Sequence, residues 1–226
     1  FGLRKPKQKT PGMELSGVIE DVGEDVHKFN IGDFVYGDIS DYGFGALAEY
    51  VCVDAAALSL KPEYMSFPDA ASIPHAALLA KQGLIDAGQI QQGQKVLING
   101  AGGGVGTFGL YLAKQYGAHV TGVDTGDKLR QMQAIGYDSV IDYQDTNFTH
   151  NGLQYDLILD AKTNRGPSAY MRSLSPGGKY VTVGGHLTRL LQILVMKGWL
   201  RKMYKKTLHI AALKTNQDLA YIEQLY

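Results

Sequence analysis

Residues 95–124 read KVLINGAGGGVGTFGLYLAKQYGAHVTGVD, and this stretch decides the fold. Lys95-Val-Leu-Ile-Asn99 is a short apolar run bounded by turn residues, the composition of a strand buried on both faces of a parallel sheet. The glycine-rich turn Gly100 to Gly106 comes next. From Thr107 to Tyr116 the apolar positions repeat at helical spacing, and Gly117 supplies the stop. A second apolar run, His119 to Val123, follows at once. Strand, helix and strand make a βαβ unit.

The glycines at this turn have a physical purpose. A backbone that passes from strand to helix while approaching a diphosphate tolerates no Cβ at the points of contact. The first turn of the helix then offers free N–H groups and a partial positive charge. Against the pattern G-x-G-x-x-G the chain has Ala101-x-Gly103-x-x-Gly106, with alanine in the first glycine's place. Ala101, Gly102, Gly103, Gly104, Val105 and Gly106 are therefore candidate cofactor-binding residues. Asp124 closes the second strand roughly 20 residues on, where an acid would meet a ribose 2′-hydroxyl. Taken together, these features favour a dinucleotide site over a purely structural glycine turn.

The 226 residues carry 22 basic and 22 acidic side chains, a balance that gives no reason to expect a nucleic-acid partner. Cys52 is the single cysteine, which excludes a disulfide framework and a multi-cysteine zinc lobe within this chain. No secretory apolar segment or membrane-length run is visible, so the expected location is cytoplasmic. The sequence begins at Phe1, as a fragment or a processed chain would. Between Asp160 and Asp218 no acidic residue occurs, while Lys179, Arg189, Lys197, Arg201, Lys202, Lys205 and Lys206 accumulate.

In order along the chain, the basic and unpatterned Phe1 to Pro11 is an expected mobile segment. Leu15 to Val22, Asp33 to Gly37 and Ala46 to Val53 have strand composition, separated by glycine-rich loops, as in a small β-barrel with too few strands to close. Ser66 is a candidate N-cap. The spacing predicts helix from Ala70 to Ala87, broken at Pro74, as a hinge between two domains beside a cofactor cleft. Beyond Asp124 the pattern alternates. It predicts helix at 128–134, strands at 139–142 and 156–160, helix at 168–174, a turn at Pro176-Gly-Gly178 and a strand at 179–183. An apolar helix at 188–199, a strand at 207–213 and a closing helix at 218–225 complete the chain. Six strands in this alternation suffice for a doubly wound α/β sheet of order 3-2-1-4-5-6.

The chain resembles the medium-chain dehydrogenase/reductase superfamily, and within it the zinc-free quinone oxidoreductases related to zeta-crystallin. The resemblance rests on an ordered set: Pro11-Gly-Met-Glu-Leu-Ser-Gly-Val-Ile-Glu-Asp-Val-Gly23, Gly32-Asp-Phe-Val-Tyr36, Gly45-Ala-Leu-Ala-Glu-Tyr50, Ala70 to Pro74 and Ala101 to Gly106. Gly136 to Tyr143, Tyr155 to Asp160 and Leu174 through Gly185 continue it. It implies a partial GroES-like β-barrel domain at 1–75, a Rossmann domain at 76–226, a homodimer, and family chains that extend further at both ends. It also implies a nicotinamide cofactor. Asp124 favours NAD(H), whereas Lys128 stands where the family pairs a lysine with the 2′-phosphate of NADP(H), with Arg130 close by. Tyr143 matches a residue lying against the adenosine end, and Val183 and Gly184 match backbone passing the nicotinamide.

No zinc is expected: zinc-dependent relatives have Gly-His-Glu where this chain has Gly12-Met13-Glu14, and the histidines form no ligand cluster. Glu14 then reads as a structural hydrogen-bonding acid. The implied reaction is hydride transfer to a quinone or an α,β-unsaturated carbonyl, an acceptor that spreads the arriving charge onto oxygen without needing a metal. Tyr36, Tyr42 and His75 are the candidate proton donors, although His75 reads rather as a cap on the proline break. An alternative is a dinucleotide-binding protein without turnover. Another reading concerns Leu187 to Leu200 with the basic Arg201 to Lys206: either a helix packed on the sheet or an element contacting a membrane surface.

Overall fold

The computed structural model describes residues 9–224. Most of the expected mobile N-terminal segment and Leu225 of the expected closing helix lie outside the described residues. The chain forms two compact units, one comprising the residues up to Leu78 and those from Lys214 onward, the other Leu79–Leu213. The expected division at 75/76 thus falls three residues early, and the expected assignment of the final helix to the nucleotide domain is corrected.

The first unit holds β1 (Glu14–Val18), β2 (Phe34–Asp38) and β3 (Ser59–Leu60) in one antiparallel sheet of that order. Phe29, Val35 and Leu58 form its buried cluster, with Leu15, Ile19 and Val26 packed against them. Residues 46–53, expected as a strand, are irregular. The N–H groups of Ala46 and Leu47 donate to the carbonyls of Gly12 and Pro11, and Leu47 and Tyr50 are exposed. Strand composition is insufficient without a neighbouring ladder to complete, and β3, only two residues long, takes the third place in the sheet.

Ser66 caps α1 (Phe67–Ser72), its Oγ accepting from the Asp69 N–H at 3.2 Å. The helix breaks at Ile73, and α2 (Pro74–Lys81) restarts with proline in its first turn, where the absent N–H costs nothing. A π-helical turn, Gln82–Ala87, extends it. The last helix among the described residues is α7 (Leu219–Glu223), preceded by Asn216. The Asn216 side chain donates to the Asp38 carbonyl at 2.7 Å and accepts from the Asp38 N–H at 2.8 Å, fastening this segment to β2.

The second unit is a six-stranded, wholly parallel sheet: β4 (Lys95–Asn99), β5 (His119–Asp124), β6 (Ser139–Asp142), β7 (Tyr155–Asp160), β8 (Leu174–Thr182) and β9 (Thr207–Ile210). Their spatial order β6-β5-β4-β7-β8-β9 is the expected 3-2-1-4-5-6, with the reversal at β4. The connections are α3 (Gly104–Gln115), α4 (Lys128–Ala134), α5 (Pro167–Ser173) and α6 (Leu187–Tyr204). Pro176-Gly-Gly178 was expected as a turn, but β8 runs through it. The cost is a register irregularity opposite Tyr155 and Leu157.

Continuous burial explains the apolar runs: Val96, Leu97, Ile98, Ile158 and Leu159 are fully enclosed, each adding about 1.5–3 kcal/mol. A carboxylate is sealed in with them. Asp160 accepts from Asn99 Nδ2 (2.8 Å) and from the N–H groups of Lys162 and Thr163 (2.9 Å each), all on Oδ1. Tyr180 donates to its Oδ2 at 2.8 Å. Four donors replace lost water, so this carboxylate ties the C-terminal ends of β4, β7 and β8 together. Tyr180→Phe removes one of them and is expected to cost about 1–3 kcal/mol in urea unfolding. A change below about 0.5 kcal/mol, as for an ordinary surface substitution, would contradict this role.

Candidate functional site

The glycine turn lies at the C-terminal end of β4, beside the sheet's reversal. The first helical bond of α3 runs from Thr107 N–H to the Gly103 carbonyl at 2.9 Å, so the N–H groups of Gly104, Val105 and Gly106 precede the ladder. Gly103 and Gly104 are exposed, and Ala101 and Gly106 are buried beneath them. A Cβ on Gly106 would stand 2.1 Å from the Ala101 carbonyl oxygen and 2.5 Å from its Cα. Only glycine lets α3 approach so near the strand end. The Tyr137 hydroxyl secures the same point, donating to the Gly106 carbonyl at 2.8 Å. Spacing gave no hint of Tyr137, whose contribution is purely tertiary.

Asp124 does not stand open toward a ribose. Its Oδ2 accepts from the Gly102 N–H at 2.9 Å, its Oδ1 accepts from the Thr125 N–H at 3.0 Å, and the residue is 5% exposed. Lys128 Nζ sits 3.4 Å from Oδ1 with its side chain 48% exposed. The lysine stem crosses the turn: a Cβ on Gly102 would lie 2.7 Å from Lys128 Cδ. The acid therefore braces the loop, and the cation forms its outer edge. Arg130 pairs with Asp127 at 2.8 Å. Tyr143 leaves β6 with its N–H on the Asp124 carbonyl (3.1 Å) and its side chain exposed. At the end of β8, the Val183 N–H donates to the Asp160 carbonyl at 3.0 Å. The Gly184 carbonyl accepts from the hydroxyls of Thr182 (2.8 Å) and Thr163.

In the first unit the three candidate donors differ sharply. Tyr36 is fully buried, and its hydroxyl donates to Glu223 Oε1 at 2.6 Å. Burial and that carboxylate drive the phenol far above its ordinary value, so it keeps its proton and faces no open space. Tyr42 is exposed and makes a backbone bond to the Ile39 carbonyl.

His75 is built into a dyad. Its Nδ1 lies 2.7 Å from Asp38 Oδ2, where the histidine side chain is 30% exposed and the aspartate fully enclosed. Asp38 Oδ1 accepts from the Ser40 N–H at 2.8 Å. The expectation that His75 caps the proline break is corrected, because Glu14 fills that role by accepting from the His75 N–H at 2.8 Å. Sequence reading missed Asp38, although a charged residue closing an apolar strand was a visible signal.

The hydrogen bond to Asp38 raises His75 above its ordinary value against the effect of burial, and the charges of Asp38 and Glu14 assist. Burial opposes ionisation of Asp38, but its bonds from His75 and Ser40 prevail and hold it low. Burial also pushes Glu14 up, outweighing the bond from the His75 N–H. The carboxylate is then an acceptor, Nδ1 carries a hydrogen, and Nε2 is left for solvent or ligand. Among the described residues no group of three or more potential metal-ligating side chains is assembled.

Comparison with known proteins follows the same division. The alcohol dehydrogenase GroES-like domain family matches residues 2–63, and the family described as zinc-binding dehydrogenase matches residues 104–212. The solved quinone oxidoreductase of Coxiella burnetii is 30% identical with a TM-score of 0.81, covering 95% of this chain and 67% of that one. The chain belongs to the medium-chain dehydrogenase/reductase superfamily. Within that superfamily it is similar to the 2-methylene-furan-3-one reductase of Solanum lycopersicum, 35% identical over 191 residues, which are 81% of this chain and 48% of that protein. It is also similar to the NADPH-dependent alkenal/one oxidoreductase of Arabidopsis thaliana, 33% identical over 191 residues, 81% of this chain and 49% of that protein. The chain spans about half the length of these curated relatives.

Two outcomes test this geometry. Gly106→Ala is expected to lower the unfolding free energy by about 1–3 kcal/mol in urea, because backbone rather than a pliable side chain must move. For the dyad, a raised imidazole contributes stability that is complete below about pH 6.5 and lost as pH climbs through the raised value. Asp38, held low, contributes above about pH 3.9 and loses that contribution as pH falls through its depressed value. Asp38→Asn is expected to bring His75 back down in an NMR titration and to abolish the alkaline loss. An unmoved His75 would contradict the dyad.

Proposed function

We propose that this chain carries the catalytic apparatus of a reductase that uses NADPH to reduce quinones or α,β-unsaturated carbonyls, with the cofactor held by the unit at 79–213. The observation that carries the reading is the open first turn of α3, where unladdered N–H groups stand over a backbone contact that excludes even a methyl group. Ala101 to Gly106 would receive the diphosphate, Tyr143 the adenosine, and Val183 and Gly184 the nicotinamide amide. The names of the tomato and Arabidopsis relatives point to the same acceptor class.

Lys128 supports NADPH over NADH. Asp124 faces inward and is satisfied by the loop's own N–H groups, so its charge is spent within the protein, whereas the half-exposed ammonium is available to a 2′-phosphate. Met13, in place of a ligand histidine, supports a reaction that proceeds without zinc.

Bound reduced nicotinamide supplies the hydride. Negative charge then collects on the acceptor oxygen, which the carbonyl or quinone system can bear. That anion then takes up a proton, and His75, whose Nδ1 donates to Asp38, is chemically suited to give one from Nε2 and recover it from water. Tyr36 is unsuited to this step because its proton is committed to Glu223.

The reading is tested by following reduced-cofactor fluorescence with a panel of quinones and enones. Turnover is expected, NADPH preferred, with Lys128→Ala reducing the NADPH-to-NADH ratio of kcat/KM by about tenfold. His75→Gln is expected to lower kcat for enones by about a hundredfold while leaving cofactor affinity unchanged. Binding without oxidation by any acceptor would instead mean a non-catalytic dinucleotide protein.

A further inference from the structure

Two lysine stems cross the glycine turn, and only Lys128, which passes over Gly102, has a role so far. Lys162, the second residue beyond β7, passes over Gly100: a Cβ built there would lie 3.1 Å from both its Cγ and its Cε. The ammonium is one bond further on, and the residue is exposed. In the sheet β4 stands between β5 and β7. The two lysines therefore flank the turn from opposite sides of the reversal, where an open α/β sheet takes its ligand.

The backbone beneath the Lys162 stem is held from several directions. The Ala161 N–H donates to the Asn99 carbonyl at 3.0 Å, and the Lys162 N–H donates to the enclosed Asp160 carboxylate at 2.9 Å. Thr163 follows with φ of 42°, a left-handed conformation that a β-branched residue adopts only when its surroundings impose it. Here they do: its N–H also reaches Asp160, and its hydroxyl donates to the Gly184 carbonyl. Gly185 closes over the same point, where a Cβ would stand 2.5 Å from the Lys162 carbonyl oxygen. The side chain thus starts from a fixed place.

Charge separates the two lysines. Lys128 shares its charge with Asp124 at 3.4 Å. Among the described residues Lys162 has neither an ion pair nor a side-chain hydrogen bond. The carboxylate two positions before it, Asp160, is already filled by four donors. An exposed lysine is ordinarily solvated, but this one is laid along the backbone of a turn whose helix offers unladdered N–H groups. Both features favour the same anion. A dinucleotide with its adenosine toward β6 and its nicotinamide toward β8 must carry its diphosphate past the end of β7.

We propose that Lys162 pairs with the cofactor diphosphate on its nicotinamide side, serving NADPH and NADH alike. The proposal deepens the function proposed above and rests on a dinucleotide being bound at the glycine turn.

Direct binding to the full chain tests it without turnover. Lys162→Met keeps a stem over Gly100 and removes the charge, so its circular dichroism and urea midpoint are expected to match the parent chain. In isothermal titration calorimetry at low salt, the variant is expected to bind ADP, NADH and NADPH each about tenfold more weakly. The NADPH-to-NADH affinity ratio should stay unchanged, whereas Lys128→Ala shifts it. Lys162→Arg is expected to retain most of the affinity, and affinity should fall less steeply with salt in the Met variant. ADP carries both phosphates and no nicotinamide. A variant that loses NADPH affinity but keeps ADP affinity would place the lysine on the second ribose or the nicotinamide, and overturn the proposal. Undiminished binding of all three ligands would also overturn it and leave the dinucleotide reading intact. A parent chain that binds none of them at millimolar concentration would defeat that reading, and the proposal with it.

Discussion

The backbone of Gly106 meets the backbone of Ala101 with no room for one methyl group, and the sheet-bearing unit is organised by that contact. A chain leaving a buried central strand must return over the sheet as a helix, and the closer it returns, the more directly the helix N-terminus faces the strand ends. Gly109 continues the approach one turn later, where a Cβ would meet Ile98 at 3.1 Å and Leu159 at 3.3 Å. The side chains of Tyr137 and Asp124 then fix the turn from beneath, one on the Gly106 carbonyl and one on the Gly102 N–H. The result is a turn braced from beneath at the N-terminus of a helix, the kind of geometry that suits an anion.

The parts of the fold legible in the sequence were those whose cause is local. Five-residue apolar runs such as Lys95–Asn99 are readable because a parallel strand covered on both faces has no polar side, and the glycine stop at Gly117 announces a helix end. Residues 46–53 misled because strand composition describes what a strand would look like, not whether a neighbour exists to pair with it. Ser59–Leu60 was invisible for the converse reason, since two residues carry no period. The closing segment went to the wrong unit because Asn216, Thr215 and Glu223 reach Asp38, Asp41 and Tyr36 through hydrogen bonds across most of the chain length. No local pattern encodes those contacts.

The same division holds at the candidate site. The glycine turn could be read because its chemistry is carried by consecutive backbone groups. The dyad could be read only in half. His75 was conspicuous by type, but its meaning depends on Asp38, 37 positions earlier, and on Glu14 holding the helix start. Asp124 closes its strand as expected, and its carboxylate already accepts from the Gly102 and Thr125 N–H groups. That it also braces the glycine loop depends on backbone groups 22 positions earlier, which no local pattern announces.

Charge management separates α6 from the rest of its unit. Asp160 is enclosed yet satisfied by four neutral donors, and Asp138 is paired with Lys114 at 2.5 Å while also receiving the Val120 N–H. At these positions carboxylates are met by donors within the fold. Along α6 the pattern stops: cations accumulate without acids, and apolar residues face outward. A helix that does no more than cover a sheet needs one apolar face, and Ile193, Met196 and Leu200 already supply it. The second face contributes nothing to the folded unit it belongs to, and exposed leucines and a tryptophan carry a solubility penalty. Their regular spacing, opposite the packed face and bordered by one sign of charge, is therefore an arrangement whose physical rationale lies in something outside the chain.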